Sequence, residues 1–457
     1  MNQRAQTQTQ IGPTVEIFDK IVAISGPESS GLEPTGFHLE NLEVAAISPE
    51  AETALAFLKS SATARAEGLD EALEELKAWN GSINQNVKPG TLHFGPRSIT
   101  INVTQVCNLH CTYCAAGGDG TFGDPIKKIS VEKTIPQLKA FLERVPEGRK
   151  FHITFLGGEP LLYPEGIALL AEYVKSTAKE RSISSSFTVV TNGTLFSPAN
   201  IELLAKLKAN LIISVDGPPE LNDRTRPTAS GRGVTLKVIE GIELLLQRKS
   251  ELGTVELSGV FGQQNQDLMA AYEFYSQFSV DHMDFTYDHL ETSAEVSEQY
   301  TARLLAVASR AFQENGEAGL RKIKTFDRIF ELLDKQQQVQ NYCGAGKSFF
   351  MIDARNQIYT CPWVAGDSKE VVGVGSELWV DKLKAYEAPL TELNQCGSCW
   401  ARNLCGGGCM FIHKNKTGSK HKVDDNFCNR TRLLIAQGIM YYKIARSGVA
   451  SAERKAL

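Results

Sequence analysis

The chain lacks the marks of a membrane-spanning, secreted or nucleic-acid-binding protein. No apolar run reaches the ~20 residues that a membrane-spanning helix needs. Its start, MNQRAQTQTQIG, is polar and has no apolar signal segment. A net charge of −5 sets up no global field that would gather nucleic acid or an anionic membrane. Internal repeats and low-complexity tracts are missing as well. These absences point to a cytoplasmic globular protein, and 457 residues allow two or three domains, each with its own core. In that compartment thiols stay reduced, so clustered cysteines read as metal ligands rather than as disulfides.

The cysteines fall into two groups with none to spare. Three sit in CNLHCTYC: Cys107, Cys111 and Cys114. Seven follow residue 340: Cys343, Cys361, Cys396, Cys399, Cys405, Cys409 and Cys428. The first group supplies three thiolates where a zinc ion or a cubane [4Fe–4S] cluster takes four. A cubane held by three leaves one iron open to a reacting molecule. A zinc site would have to borrow His110, which immediately precedes Cys111 and is poorly placed to converge on the same ion.

Between the two groups the pattern is regular. Six apolar strand segments (98–103, 151–156, 187–190, 211–215, 255–260 and 282–287) alternate with amphipathic helical stretches (131–144, 163–179, 199–208 and 234–249). Strand–helix alternation predicts right-handed βαβ units and a parallel sheet, open or curled as a barrel. The unusual residues follow the strands: CNLHCTYC after the first, Gly157-Gly158-Glu159-Pro160 after the second, and Asn192 after the third. Ser214 and Asp216 follow in the fourth, and Asp288 and His289 in the sixth. In a β/α barrel the carboxyl ends of the strands share one site. Ahead of this region, residues 1–92 show two strand-like pieces (15–25, 36–44) and helical stretches starting at Pro49 and at Leu69. That predicts a small α+β unit joined by a linker through Asn80-Gly81 and Lys88-Pro89-Gly90. Residues 297–340 read as helix-rich, 348–360 as a hairpin delivering Cys361, and 430–446 as a closing helix.

C-x3-C-x-aromatic-C after a first strand and GGEP after a second resembles the radical S-adenosylmethionine enzymes, over roughly residues 97–290. The resemblance implies a partial (β/α)6 barrel. It also implies an open iron that binds the amino and carboxylate groups of S-adenosylmethionine, with one-electron cleavage to a 5′-deoxyadenosyl radical. By motif, Gly157, Gly158, Glu159 and Pro160 receive the cofactor's amino group, Ser214 touches its ribose, and Tyr113 and Asn192 flank it. Asn222-Asp223-Arg224-Thr225-Arg226 resembles the family's HDxxR segment with Asn222 in place of histidine, which aims Arg226 at the cofactor carboxylate.

The tail, Cys396-x2-Cys399-x5-Cys405-x3-Cys409 with Cys343, Cys361 and Cys428, resembles the SPASM domain of the same superfamily. On spacing alone C-x2-C-x5-C-x3-C also admits a zinc ribbon. The resemblance implies two auxiliary [4Fe–4S] clusters, three in all. Cys396, Cys399, Cys405 and Cys428 would hold the outer one, and Cys343, Cys361 and Cys409 the inner one, with an open iron. Asn356 stands where a glycine usually turns the chain before Cys361, and Asn tolerates that left-handed conformation.

The domains expected are then 1–92, resembling the winged-helix-like leader-binding unit of peptide maturases; 93–330, the barrel; and 331–457, the SPASM domain. Cys343-Gly344-Ala345-Gly346 and Cys361-Pro362 look most like maturases of ribosomally made peptides, which form thioether or carbon–carbon crosslinks or otherwise edit a precursor. The implied partners are a precursor peptide with a leader and a one-electron donor of flavodoxin or ferredoxin type. An anaerobic sulfatase-maturing (formylglycine-forming) enzyme is the alternative, but that family commonly places a carboxylate where Pro362 stands. A non-catalytic iron–sulfur scaffold or electron carrier would need neither GGEP nor Arg226. Asp216, Asp288, His289 and Asp353 are the candidate bases.

Overall fold

The computed structural model describes residues 12–27, 33–59, 69–91, 95–114, 126 and 128–447. The polar start over 1–11 and the expected continuation of the first helical stretch over 60–64 lie outside the described residues. Each N-terminal strand piece is in fact a pair of strands. β1 (Thr14–Phe18), β2 (Ile21–Ser25), β3 (Thr35–His38) and β4 (Glu43–Ala46) form an antiparallel meander in sequence order. Two of its turns use Asp19 and Leu42 at positive φ, and Leu42 carries no turn signal that a sequence reading would pick up. α1 (Pro49–Lys59) and α2 (Leu69–Asn80) follow.

Alternation along β2 divides its side chains between two cores. Ile21 and Ala23 pack with Leu69, Leu73 and Leu76 of α2, whereas Val22 and Ile24 belong to the large core of the rest of the chain. The sheet is therefore docked, and its polar rim is docked with it: Asn403 Nδ2 donates to Leu39 O at 2.8 Å and Gln338 Nε2 to Glu40 O at 2.9 Å. The expected linker is pinned too, Lys88 N donating to Gln336 O at 2.8 Å and Gln338 N to Lys88 O at 3.0 Å.

The barrel follows the expected alternation closely. β5 (Ser98–Asn102), β6 (Lys150–Leu156), β7 (Ser184–Thr191), β8 (Asn210–Ser214), β9 (Val255–Phe261) and β10 (His282–Tyr287) are parallel and adjacent in sequence order. The connecting helices are α3 (Val131–Leu142), α4 (Pro164–Glu180), α5 (Pro198–Leu207), α6 (Pro219–Thr225), α7 (Thr235–Leu246) and α8 (Leu268–Tyr275). Local signals explain several starts: Ser130, Ser197 and Asp267 cap α3, α5 and α8 by accepting from Lys133 N, Asn200 N and Ala270 N. α8 escapes a periodicity search because five of its eight residues are buried, leaving no polar stripe.

α9 (Ala294–Lys322), broken at Gly316, and α10 (Lys324–Asp334) lead to the cysteine-rich tail. The tail does not form a detached unit. β11 (Phe349–Ile352) adds to the barrel sheet in parallel beside β5, and β12 (Gln357–Tyr359), β13 (Gly373–Val374) and β14 (Glu377–Leu378) extend it to ten strands. Asn356 turns the β11–β12 hairpin at φ 62°, and its side chain donates to Thr134 Oγ1 and Gln137 Oε1 on α3. The closing helix, Asp425–Arg446, packs on α9 and α10. Among the described residues no helix is long and apolar enough to cross a membrane.

Candidate active site

The carboxyl ends of β5–β10 surround a cavity of about 270 Å³. Asn102, Leu156, Val190, Ser214 and Val260 come from the strand ends, and Cys107, Cys111, Tyr113 and Cys114 from the loop after β5. The turn after β6 holds that loop from below: Gly158 N donates to Thr104 O at 2.7 Å and Glu159 N to Val106 O at 3.0 Å. A Cβ at Gly157 would lie 2.4 Å from Thr104 O, and one at Gly158 2.4 Å from Val106 O. Both neighbours are backbone and cannot swing aside, so only glycine lets the two loops touch. From the other side His110 N donates to Pro227 O and Thr112 N to Thr225 O, which brings Arg226 beside the cysteines.

Tyr113, Arg226 and Asp216 form one buried network. The Tyr113 hydroxyl donates to Asp216 at 2.7 Å, and Arg226 Nη1 donates to that hydroxyl at 2.5 Å. Arg226 Nη1 also lies 3.8 Å from Asp216 Oδ1, with side chains only 9% and 0% exposed. Asp216 further accepts from Thr225 Oγ1 at 2.6 Å and Val260 N at 3.1 Å. Its oxygens are committed, and it stands behind the cavity wall. Asp216 is therefore the counter-ion of Arg226, not a base. Asn222, the histidine replacement, accepts from Asp216 N and donates to Thr235 Oγ1, so it secures the same loop.

The expectation for the GGEP turn narrows. Gly157 and Gly158 line the cavity, but Glu159 is fully buried behind it, accepting from Thr191 Oγ1 and Asn192 N at 2.7 Å and from Leu161 N at 3.0 Å. Burial raises the Glu159 carboxyl, and those three donors oppose the shift. Glu159 and Pro160 shape the turn rather than face the cavity. Asn192 does reach it, its Nδ2 bonding Asn108 Oδ1 at 2.9 Å and approaching Cys107 Sγ at 3.7 Å.

Asp288, His289 and Asp353 also line the cavity. Asp353 accepts from the amides of Arg355 and Gln357 and thereby holds the β11–β12 turn. His289 stacks on Trp363, ring centroids 4.4 Å apart, and Trp363 on Phe411. Trp363 and Pro362 follow Cys361 and roof the cavity from the tail, with Met351 of β11 beside them. Sequence reasoning missed Asn102, Met351 and Trp363 as wall residues. Asn102 carried a signal, an amide at the end of an apolar strand five residues before Cys107; Met351 and Trp363 carried none.

Burial depresses His289 to about 4, with Arg430 adding to the effect. A folded value below the unfolded ~6.5 means that the unfolded chain binds more protons between those limits. Stability should therefore fall as pH drops from about 6.5 towards 4. Urea midpoints of the metal-free chain should fall more steeply between pH 7 and pH 5 than those of His289→Phe. Equal slopes would assign the acid sensitivity elsewhere.

None of the ten cysteines is in a disulfide. His110 is exposed, and among the described residues no three His, Cys, Asp or Glu side chains are gathered for a single metal ion. The thiols form three neighbourhoods. Burial pushes Cys107 up to about 11, with Cys111 and Cys114 among its neighbours. Burial pushes Cys361 up to about 12 beside Cys343 and Cys409, and Cys405 up to about 12 beside Cys399 and Cys428. Cys428, raised by burial to about 11, also feels Cys396.

The Radical SAM superfamily model matches residues 101–275, the stretch that holds the end of β5, the cysteine loop and the whole of β6–β9. That stretch is a radical SAM domain. Among curated relatives, the serine-type anaerobic sulfatase-maturating enzyme of Klebsiella aerogenes is 22% identical, over 68% of this chain and 79% of that enzyme. Mycofactocin maturase MftC of Mycolicibacterium smegmatis is 24% identical, over 69% of this chain and 78% of that protein. Among solved structures, native anSMEcpe with bound AdoMet superposes with a TM-score of 0.64 at 19% identity, covering 78% of this chain and 100% of that one. Streptococcus suis SuiB bound to precursor peptide SuiA gives a TM-score of 0.50 at 14% identity, covering 91% and 100%.

A radical SAM domain implies S-adenosylmethionine and a [4Fe–4S] cluster, and the site fits both. Burial raises Cys107 and Cys111, which keep their protons at neutral pH until a cation displaces them, and a metal-bound thiol is deprotonated outright. The Gly157–Gly158 cradle has no room for a Cβ. Asn102 Oδ1 is buried on the cavity wall without a hydrogen-bond partner, an acceptor awaiting a donor. Arg226 presents a guanidinium to the same wall.

Proposed function

We propose that this radical SAM enzyme is a maturase of a ribosomally made precursor peptide, abstracting hydrogen from the peptide to form a crosslink or another edit of its core. The observation that carries the reading is the shared cavity: three thiols, Gly157-Gly158 and Arg226 on its floor and walls, and the Cys361–Trp363 loop of the tail as its roof. Cys107, Cys111 and Cys114 would hold the catalytic [4Fe–4S] cluster. Gly157 and Gly158 leave space for the cofactor's amino group, Arg226 pairs with its carboxylate, Ser214 and Asn192 meet its ribose side, and Tyr113 keeps Arg226 in place. When bound, cluster and cofactor supply one-electron cleavage of a carbon–sulfur bond and, from it, hydrogen-atom abstraction. Trp363 and Pro362 exclude water from above.

Cys343, Cys361 and Cys409 would hold an inner auxiliary cluster beneath that roof, with one iron open to substrate, and Cys396, Cys399, Cys405 and Cys428 an outer one. A flavodoxin- or ferredoxin-type protein would deliver the electron in the cytoplasm. β4 is an outer strand of the N-terminal sheet, an edge suited to strand addition by a leader peptide. The names of two similar proteins, a mycofactocin maturase and SuiB bound to a precursor peptide, support a peptide substrate. Likeness to a sulfatase-maturating enzyme keeps that activity as the second reading, but Pro362 lines the cavity where the carboxylate common in that family would stand. Anaerobically reconstituted protein with a reductant should release 5′-deoxyadenosine. Coexpression with the neighbouring precursor should shift the peptide's mass by two hydrogens, or leave it unchanged on epimerisation. Intact clusters without any 5′-deoxyadenosine would overturn every radical reading.

A further inference from the structure

A second and larger cavity, about 620 Å³, lies between β10, α10, the closing helix and the tail loop that carries Cys405. It adjoins the first, because His289 lines both. Its charges are unevenly compensated. Lys324 is bound at 2.9 Å by both oxygens of Glu256 and also feels Asp284, a lining carboxylate that accepts from Thr286 Oγ1 at 3.0 Å; Asp327 is paired with Arg321 at 3.2 Å, and Glu331 is paired with Lys335. Two guanidiniums on the wall make no ion pair within 4.0 Å among the described residues, although Asp424 acts on Arg430 from farther away and Arg328 lies towards Cys343 and Cys405. Arg328 donates to Tyr342 O at 3.3 Å and stacks over that ring at 5.2 Å. Arg430, 7% exposed, donates to Ser297 Oγ at 2.7 Å and lies 4.0 Å over the Tyr287 ring, with Phe427 and Tyr300 behind it.

Aromatic faces and one hydroxyl offset only part of the cost of burying a full positive charge. The same wall holds a second kind of unmet demand. His282 Nδ1 and His289 Nδ1 are both buried without a hydrogen-bond partner, and both residues line this cavity. Of the four buried side-chain atoms left without partners among the described residues, two are therefore here. Two guanidiniums without an ion pair, the unmatched His289 nitrogen at one end of the cavity and an apolar far side (Ile412, Leu434, Ile435) match a carboxylate on a short aliphatic stem.

We propose that this cavity is a carboxylate subsite for the peptide substrate. Arg430 and Arg328 grip the carboxylate, and His289, at the junction of the two cavities, marks where the adjoining residue passes into the cysteine-lined site. The proposal rests on the peptide-maturase reading and adds a sequence requirement to it: an acidic group close to the residue that is modified. The carboxylate can come from a Glu or Asp side chain or from the end of the peptide chain.

The test uses the full, reconstituted chain without reductant, so binding is read apart from turnover. Three synthetic peptides are titrated by calorimetry: Ac-Gly-Glu-Gly-Gly-NH2, its Gln counterpart, and Ac-Gly-Gly-Gly-Gly with a free carboxyl end. One carboxylate peptide should bind about tenfold or more tightly than the Gln peptide, as charge-assisted bidentate bonds allow. Which of the two binds identifies the source. Discrimination should collapse in Arg430→Gln and in Arg328→Gln; Arg328 is only half-buried, so its variant keeps the test open if Arg430→Gln fails to fold. Equal binding of carboxylate and amide, binding of none at millimolar concentration, or discrimination that survives in the variants overturns the subsite. Release of 5′-deoxyadenosine by the wild-type chain judges the underlying reading separately, since it needs no peptide carboxylate.

Discussion

Cys107→Ala should abolish 5′-deoxyadenosine release, down to the level of the protein-free control, while leaving in place the two auxiliary clusters proposed for the tail. Cys107 sits at the base of its loop, where its sulfur approaches Leu109 N at 3.4 Å and Asn192 Nδ2 at 3.7 Å. These contacts orient the first of only three thiols. With one removed, two thiolates would remain to hold a cubane with an open iron, and Glu159, the carboxylate that acts on Cys107, is committed behind the wall. Iron content should therefore fall from about twelve to about eight atoms per chain, the loss of one cubane's four. Cys396→Ala makes the contrast. Its thiol belongs to the neighbourhood of Cys399 and Cys428 in the tail, so it should lose outer-cluster iron while the first loop stays loaded. If Cys107→Ala still cleaves the cofactor at the wild-type rate, the first loop is not the cluster site; if Cys396→Ala loses iron from the first loop, the two groups are not independent.

How much of this was legible in the sequence depended on the range of the interaction concerned. The six barrel strands were visible because apolar residues recur at every second position and face the core, as Ile99, Ile101 and Val103 do in one strand and Phe151, Ile153 and Phe155 in the next. The cysteine loop, the glycine turn and Arg226 were legible as motifs because their chemistry fixes residue types at fixed spacings. What stayed hidden was set by distant contacts. The role of Asp216 follows from partners at 113, 225, 226 and 260. Glu159 sits inside a recognisable motif, yet its direction is decided by Thr191 and Asn192 on another strand. Trp363 reaches the cavity only because β11 docks beside β5, a pairing across about 250 residues that no local pattern announces. The linker at Lys88–Gly90 had the right residues for a loop but is pinned by backbone bonds to 336–338.

Asp216→Ala should destabilise the chain by about 3–5 kcal/mol, the usual cost of removing one partner of a buried ion pair. The loss is large because three donors and one cation are stranded together: the Tyr113 hydroxyl, Thr225 Oγ1, Val260 N and the Arg226 guanidinium. Asp216 is itself fully buried, so water cannot readily take its place. Asp216→Asn keeps an acceptor for Thr225 or Tyr113 but removes the charge opposite Arg226, and it puts an NH2 group where oxygens faced N–H and O–H donors; its cost should be smaller but still clear. Tyr113→Phe removes only the bridging hydroxyl and leaves Asp216 and Arg226 3.8 Å apart, so it should be the mildest of the three. Urea unfolding of the metal-free proteins ranks them without reference to turnover. A base would give the opposite pattern, with Asp216→Asn folding as well as wild type and losing only product formation. That result would return Asp216 to the list of proton acceptors. The expected order, Ala worst, Asn intermediate and Tyr113→Phe least, would fix it as the group that keeps Arg226 charged, buried and aimed at the cavity.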